Sequence, residues 1–295
     1  MKGKNYVRRF RGQTLNKVLG ITVLTFLMLV SIAGASPFAY ITNSESNSVS
    51  VIDATTNKVT TTIPVGSNPI GVAINPNGTK VYVVNARSSD VSVIDTATNS
   101  VVATVRAGNF PQGIVVSPNG KKVYVTNRDS NNVFVIDTST NTFVSTLNTG
   151  KSPAGVAVSP DGKKLYVTNY EDNTVSIFDT TTKTVITTIS VGRGPKEISV
   201  TPGGTRVYVA NSDSESISVI DTATNSVTNT VMVGGVPSGV AVTPDGKKVY
   251  VTNNDEYFST ISVIDTVTNK ITAAIPVGSS PVGIAVTPDG KKVYV

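Results

Sequence analysis

No cysteine, histidine or tryptophan occurs among the 295 residues. Without cysteine there are no disulfides, so stability has to come from a core and from contacts between repeated units. Without cysteine and histidine the chain has no zinc or copper site of the usual kind, no His-ligated haem, no Ser-His-Asp or Cys-His nucleophile and no histidine general base. Acidic residues are missing before residue 36, where six of the 25 basic residues lie (Lys2, Lys4, Arg8, Arg9, Arg11 and Lys17). The rest of the chain carries 19 residues of each sign. Its formal charge of +6 therefore marks a basic leader rather than a groove that neutralises phosphates.

After the basic cluster comes an uncharged apolar stretch of 18 residues from Val18, ending in Ala33-Gly34-Ala35. Residues 1–35 read as a signal peptide cut near Ala35. A retained signal anchor is the alternative, because the stretch approaches the roughly 20 residues that span a bilayer. In either case the positive flank stays cytoplasmic and the remainder faces outward. Arg8-Arg9 fits twin-arginine export poorly, given Phe10 and Arg11.

From there the chain repeats. Tyr40, Tyr82, Tyr124, Tyr166, Tyr208 and Tyr250 recur every 42 residues, and Tyr294 follows after 44. Asp53, Asp95, Asp137, Asp179, Asp221 and Asp265 keep the same steps. The tyrosines read as core, and the regular aspartates as acceptors for backbone N–H groups in their turns.

The unit beginning at Pro153 contains four short runs rich in Val, Ile and Thr: Gly155 to Val158, Leu165 to Asn169, Thr174 to Asp179 and Val185 to Val191. Such runs between turn residues predict four strands. Ser-Pro-Asp-Gly suits a type I turn between the first two. The turn between the last two usually ends in Asn (Asn57, Asn99, Asn141, Asn225, Asn269), which tolerates left-handed backbone. Helical periodicity is missing after residue 35. Four antiparallel strands per 42 residues predict an all-β fold, a β-propeller of four-stranded blades, and consecutive apolar positions such as Val123-Tyr124-Val125 predict blades buried on both faces.

The motifs VYVTN (Val123 to Asn127, Val249 to Asn253), LYVTN (Leu165 to Asn169), VIDTATN and SPDGKK carry a resemblance. From about Ser36 to the end the chain resembles the YVTN β-propeller repeats of archaeal surface-layer proteins. The resemblance implies a seven-bladed propeller at the cell surface, often followed by an immunoglobulin-like PKD domain, and implies no established activity. By itself the sequence holds 25 strands after the leader, where six blades need 24 and seven need 28. A seven-bladed ring with an incomplete last blade is favoured over a six-bladed one, so residues 36–295 are expected to be a C-terminally truncated propeller with an exposed strand edge at Tyr294.

Variation among the repeats is uneven. The turns between first and second strands and between third and fourth barely change, whereas the connections between second and third strands and between blades change greatly. In an up-and-down blade the two variable sets share one face, and variable loops on a rigid scaffold are where binding concentrates. The candidate binding face is Arg87, Phe110, Arg128, Tyr170, Arg193, Lys196, Tyr257 and Phe258, a composition enriched at interface hot spots; unconstrained drift of the loops is the bland alternative. Lys121-Lys122, Lys163-Lys164, Lys247-Lys248 and Lys291-Lys292 on the other face read as a solvated basic rim.

No catalytic residue, metal site or cofactor is expected. Asp172, Asp213, Asp255 and Glu256 match no calcium loop, and Asn77-Gly78-Thr79 is an acceptor sequon on a tight turn. The expected function is a non-enzymatic, secreted, cell-surface scaffold. Its partners would be other cell-surface proteins or surface-layer subunits, with membrane contact only through an uncleaved N-terminal segment. One alternative is a lactonase- or glycosidase-like enzyme using carboxylates in the channel, where Glu197 is the lone acid beside the inner strands. Another is a periplasmic nucleic-acid-binding propeller, which neutral charge and missing tryptophan disfavour.

Overall fold

β-Branched runs broken by Pro, Asn, Asp and Gly at fixed offsets give a chain of short strands and tight turns. The computed structural model describes residues 38–255 and 259–295, together with the backbone of residues 9–10, 13–16 and 27–30. From Phe38 onward it contains 25 strands and, among the described residues, no α-helix; two single 3₁₀ turns occur, at Arg128–Ser130 and Ser212–Ser214. No described helix is long and apolar enough to cross a membrane.

Six sheets are four-stranded and antiparallel throughout, and each is one blade, running from an inner to an outer strand. Blade 2 comprises Pro69–Ile74, Lys80–Asn85, Asp90–Asp95 and Ser100–Arg106. Blade 3 comprises Pro111–Val116, Lys122–Asn127, Asn132–Asp137 and Thr142–Asn148. Blade 4 comprises Pro153–Val158, Lys164–Asn169, Thr174–Asp179 and Val185–Ser190. Blade 5 comprises Pro195–Val200, Arg206–Asn211, Ser216–Asp221 and Ser226–Met232. Blade 6 comprises Val236–Val242, Lys248–Asn254, Thr260–Asp265 and Lys270–Pro276.

Blade 1 has three strands from the repeats, Phe38–Asn43, Ser48–Asp53 and Lys58–Pro64, and takes its inner strand, Leu27–Val30, from the segment read as a leader. The seventh sheet differs in kind. Ala285–Val286 and Lys292–Tyr294 pair antiparallel, but Lys292–Tyr294 then pairs in parallel with Gln13–Asn16, which pairs with Arg9–Phe10. Three of the 28 described strands thus come from the leader and 25 from the repeats. The other parts of the leader, Ala33-Gly34-Ala35 included, lie outside the described residues.

Second strands are buried on both faces, as in blade 4, where Leu165, Tyr166 and Val167 are 0% exposed, while the outer strand Val185–Ser190 is largely exposed. Buried residues of neighbouring blades merge into common clusters: Tyr166, Val175 and Ile177 of blade 4 pack with Val207 and Val209 of blade 5. Each such tyrosine contributes about 1.5 to 3 kcal/mol by burial.

The constant turns do what their composition requires. In the turn after each third strand the aspartate Oδ1 accepts backbone N–H groups; Asp179, for example, accepts from Thr181 and Thr182, both at 2.8 Å. These bonds hold the Asp179 carboxyl below its ordinary range. Asn57, Asn99, Asn141, Asn225 and Asn269 all have positive φ; in blade 4 the position is Lys183, with φ 61°.

The solvated basic rim expected on this face is corrected at Lys122, Lys164 and Lys292, which are partly buried and engaged. Lys122 Nζ pairs with Asp137 Oδ2 of its own blade at 2.7 Å. Lys164 Nζ donates to Thr222 O at 2.7 Å, reaching the third-to-fourth-strand turn of the next blade, as Lys80 Nζ does to Thr138 O at 3.2 Å. Arg206 does the same to Thr266 O, and Lys292 reaches Ala54 O of blade 1. Tyr294 Oη also donates to Asn57 Oδ1 of blade 1 at 2.9 Å. The last sheet thus joins the first blade through the staple that joins interior blades.

Candidate functional site

The inner strands are the sharpest test of what the repeat demands. In blades 3, 4 and 6 the second strand carries Thr126, Thr168 or Thr252. Its hydroxyl accepts the N–H of its own blade's Gly113, Gly155 or Gly239 at 2.7 to 2.8 Å. It donates to a carbonyl that follows the next Pro, Ala154 O at 2.6 Å and Lys196 O at 2.6 Å on the neighbouring inner strands and Val282 O at 3.0 Å just before Ala285–Val286. These glycines are obligatory for a packing reason: a Cβ on Gly155 would stand 2.4 Å from Lys196 O and 3.0 Å from Glu197 Cα.

Blade 5 departs at both positions. Glu197 replaces the glycine and Ala210 replaces the threonine. In blade 2, where Val84 replaces the threonine but Gly71 is kept, a Cβ on the glycine would lie 3.5 Å from Val84 Cβ. The two positions face each other, so the smaller Ala210 gives Glu197 room. Glu197 stays partly accessible, yet protein surrounds it closely enough that burial lifts its carboxyl from the usual 4.5 to about 8. Lys196 beside it is half-buried; burial pulls its ammonium down, and Asp213 partly restores it. Among the described inner strands, these are the two ionisable side chains.

Around the start of this strand the variable loops converge. The loop after each second strand hydrogen-bonds the connection entering the same blade, as in Arg128 N to Phe110 O at 3.0 Å and Tyr170 N to Ser152 O at 3.1 Å. The two variable sets therefore share one face. Asp213, in the blade 5 loop, is the hub. It accepts from Tyr170 Oη of blade 4 at 3.1 and 3.2 Å, and its backbone carbonyl accepts from Arg193 Nη2 at 3.1 Å. Burial and then Asp213 raise the Tyr170 phenol, and Arg128 opposes them. Gly194, with φ +63°, permits the approach, since a Cβ there would meet Asp213 Cγ at 2.5 Å. Arg128 lies over the Phe110 ring, 5.9 Å from its centre, a contact worth about 0.5 to 1 kcal/mol at an exposed site.

Five of the eight candidate residues thus form one patch across blades 3 to 5: Phe110, Arg128, Tyr170, Arg193 and Lys196. Arg87 stands apart and exposed on blade 2, its backbone N–H donating to Ser67 O at 3.1 Å. Tyr257 and Phe258 lie outside the described residues. Asp213 carries no mark of a hub in the sequence, because its partner Tyr170 is 43 positions away and nothing in either loop announces the pairing. Two other departures do coincide visibly. Blade 6 has Gly234-Gly235 before Val236 and a two-residue insertion in its loop, and Val236 pairs with Asn254 at the insertion. Among the described residues no group of His, Cys, Asp and Glu could hold a metal ion.

Comparison with known proteins agrees on the architecture. Residues 137–243 match the family described as "Lactonase, 7-bladed beta-propeller" and residues 207–291 match the "YNCE-like beta-propeller" family. The chain is a β-propeller. It is similar to a solved chain of Kuenenia stuttgartiensis Hydrazine Synthase, with 26% identity and a TM-score of 0.80 over 94% of each chain. Since 1499 solved chains match, the fold alone selects no activity. No curated protein matches the chain.

Proposed function

We propose that this protein is an exported, non-enzymatic scaffold of the cell envelope or surface layer, and that it binds a protein partner through the face on which the variable loops meet. The observation that supports this most is the patch running from Phe110 through Arg128 and Tyr170 to Asp213, Arg193 and Lys196. It combines aromatic and arginine side chains at loop positions while the opposite turns stay constant. The basic and apolar leader supports export, and the resemblance to archaeal surface-layer repeats supports the setting.

The ring in this proposal has seven blades, the composite sheet being the seventh. Its support is the closure of Lys292 and Tyr294 onto Ala54 and Asn57. Cleavage near Ala35 removes the three leader strands from the sheets, and a retained anchor that spans the bilayer likewise withdraws Leu27–Val30 from blade 1. The intact mass of protein from the native host separates the two.

A second reading, a hydrolase working from the channel, is favoured by Glu197 and by the lactonase match. Glycoside hydrolysis requires two carboxyl groups about 5 to 10 Å apart, and the described inner strands supply one.

The test is cross-linking in native envelopes with wild type and with Tyr170→Ala/Arg193→Ala. The proposal expects the wild type in the envelope fraction, joined to a discrete partner that the variant loses. Recovery solely from cytosol, or an unchanged cross-link in the variant, contradicts it.

A further inference from the structure

Blade 4 departs from the repeat where the chain enters it from blade 3. The residue after each outer strand is apolar and packs into a core cluster in the other copies, as Val65, Ala107, Val191, Val233 and Val277 do; between blades 3 and 4 it is Thr149. In the loop after the second strand, Ser88, Ser130 and Ser214 each accept one backbone N–H through the hydroxyl, at 2.9 to 3.0 Å. Their counterpart in blade 4 is Asp172, whose Oδ2 accepts the Lys151 N–H at 2.7 Å. One carboxylate oxygen therefore does the work of the serine, and Oδ1 takes part in no described hydrogen bond.

Both departures line one cleft. It encloses about 410 Å³ between the end of the blade 3 outer strand and the third and fourth strands of blade 4, a volume within the range of small-molecule sites. Asn169 is the fixed part of its wall. It is buried, accepts the Gly150 N–H at 3.1 Å, and donates through its amide to the Thr174 and Ser176 hydroxyls, both at 2.9 Å. Each of those hydroxyls gives a lone pair to Asn169 and keeps its own proton, which it donates to no other described residue. Asp172 is an acceptor, the Asn148 amide is both donor and acceptor, and Val185 is the one apolar residue of the lining. Blade 3 has Phe134 and Phe143 at the positions of Ser176 and Val185, with ring centres 4.7 Å apart. The fold thus accepts aromatic rings at these positions, and the hydroxylated cleft of blade 4 is not something the repeat requires.

Hydroxyl donors beside a spare carboxylate oxygen complement a ligand whose groups donate and accept in turn. The carboxylate repels an anion, and among the described residues no acidic group could hold a metal ion. A diamine would pair with Asp172 but leave the Thr174 and Ser176 protons without an acceptor. Adjacent hydroxyls of a neutral sugar satisfy both kinds of group.

We propose that the cleft between blades 3 and 4 is a binding site for a neutral hexose, with Asp172 Oδ1 accepting from one ring hydroxyl and the Thr174 and Ser176 hydroxyls donating to neighbouring ones. This site stands or falls independently of the protein partner assigned to the loop face. A free sugar and the terminal residue of a glycan present the same hydroxyls to it.

Saturation-transfer NMR on the full chain tests the assignment with glucose, galactose and mannose, each free and as its methyl glycoside, and with 1,4-diaminobutane as the charged competitor. The expected result is millimolar binding of at least one hexose, weakened at least about tenfold in Asp172→Ser and lost in Ser176→Phe. Asp172→Ser restores the residue of the other repeats, still accepts the Lys151 N–H and so retains the fold; Ser176→Phe copies blade 3. Binding of a methyl glycoside assigns the cleft to the end of a glycan, and binding of the free sugar alone assigns it to a free sugar; either supports the proposal. Absence of binding by every hexose, a loss of less than about threefold in Asp172→Ser, or displacement of the sugar by an equal concentration of the diamine overturns it.

Discussion

Blades 4 and 5 are adjacent copies of one repeat, and they differ where the ring is tightest. Blade 4 locks its inner strand with Thr168, whose hydroxyl takes the Gly155 N–H and gives its proton to Lys196 O. Blade 5 has neither hydroxyl nor glycine; it has Ala210 and Glu197. The outer parts of the two blades stay equivalent, down to the turn in which Asp179 and Asp221 accept the same two backbone N–H groups. The comparison teaches that a repeat protein carries its own control. A paired departure in one copy, at two positions that touch, is a substitution the fold does not need.

Breaking the lock in blade 4 has the largest expected effect. Gly155→Ala drives a methyl group against Lys196 O and is expected to cost about 3 kcal/mol, within the range of overpacked cores. Thr168→Val keeps the shape but strands a buried N–H and weakens a carbonyl's pairing, for about 2 kcal/mol. Urea midpoints measure both, and an effect below about 0.5 kcal/mol for Thr168→Val means the hydroxyl is not a lock.

Converting blade 5 into blade 4 sharpens the same contrast from the other side. Glu197→Gly with Ala210→Thr rebuilds the lock and removes a poorly solvated carboxyl, and is expected to stabilise by about 1 to 3 kcal/mol. No gain in the double variant over either single one would show that the two positions do not cooperate.

The pH dependence separates the blades more finely. The folded protein holds the Glu197 proton up to about 8, whereas the unfolded chain releases it near 4.5. Between those values the native state binds more protons, so stability falls as pH rises through the window and levels off above it. Wild type is therefore expected to lose melting temperature from about pH 5 to about pH 8 relative to Glu197→Gln. The turn aspartates act in the opposite sense. Asp179 and Asp221 are held low by backbone N–H groups, so their contribution is present above their unfolded value and is lost in acid.

Much of the architecture was legible in the sequence, because blades are local. The strand expected at Thr174–Asp179 has those ends, and the left-handed asparagines sit where turn chemistry put them. The inner strand starts two residues early, at Pro153 instead of Gly155, since an inner edge position tolerates a residue without an N–H. Whatever depends on a neighbouring blade was not legible. Lys164 and Lys292 look like surface lysines until the next blade's carbonyls are placed beside them. Asp213 looks like a loop acid until Tyr170 arrives from 43 residues away. Glu197 was visible as an anomaly, but its cause, the vacated threonine at Ala210, needed the register of the two strands.

The smallest expected effect is local to blade 4. Lys183 is the lone non-asparagine at its turn position among the six described blades and has φ 61°. Lys183→Asn is expected to stabilise by up to about 1 kcal/mol, and a loss would mean the side chain makes a contact that outweighs backbone strain.

The most direct test of the contrast between blades is the titration of the Glu197 carboxyl in the folded protein, followed by NMR on protein labelled at its five glutamates. A resonance that titrates near 8 and disappears in Glu197→Gln is the expected result. A Glu197 carboxyl titrating near its ordinary 4.5 would contradict the account, because blade 5 would then hold an ordinary solvated acid where its neighbours hold a lock.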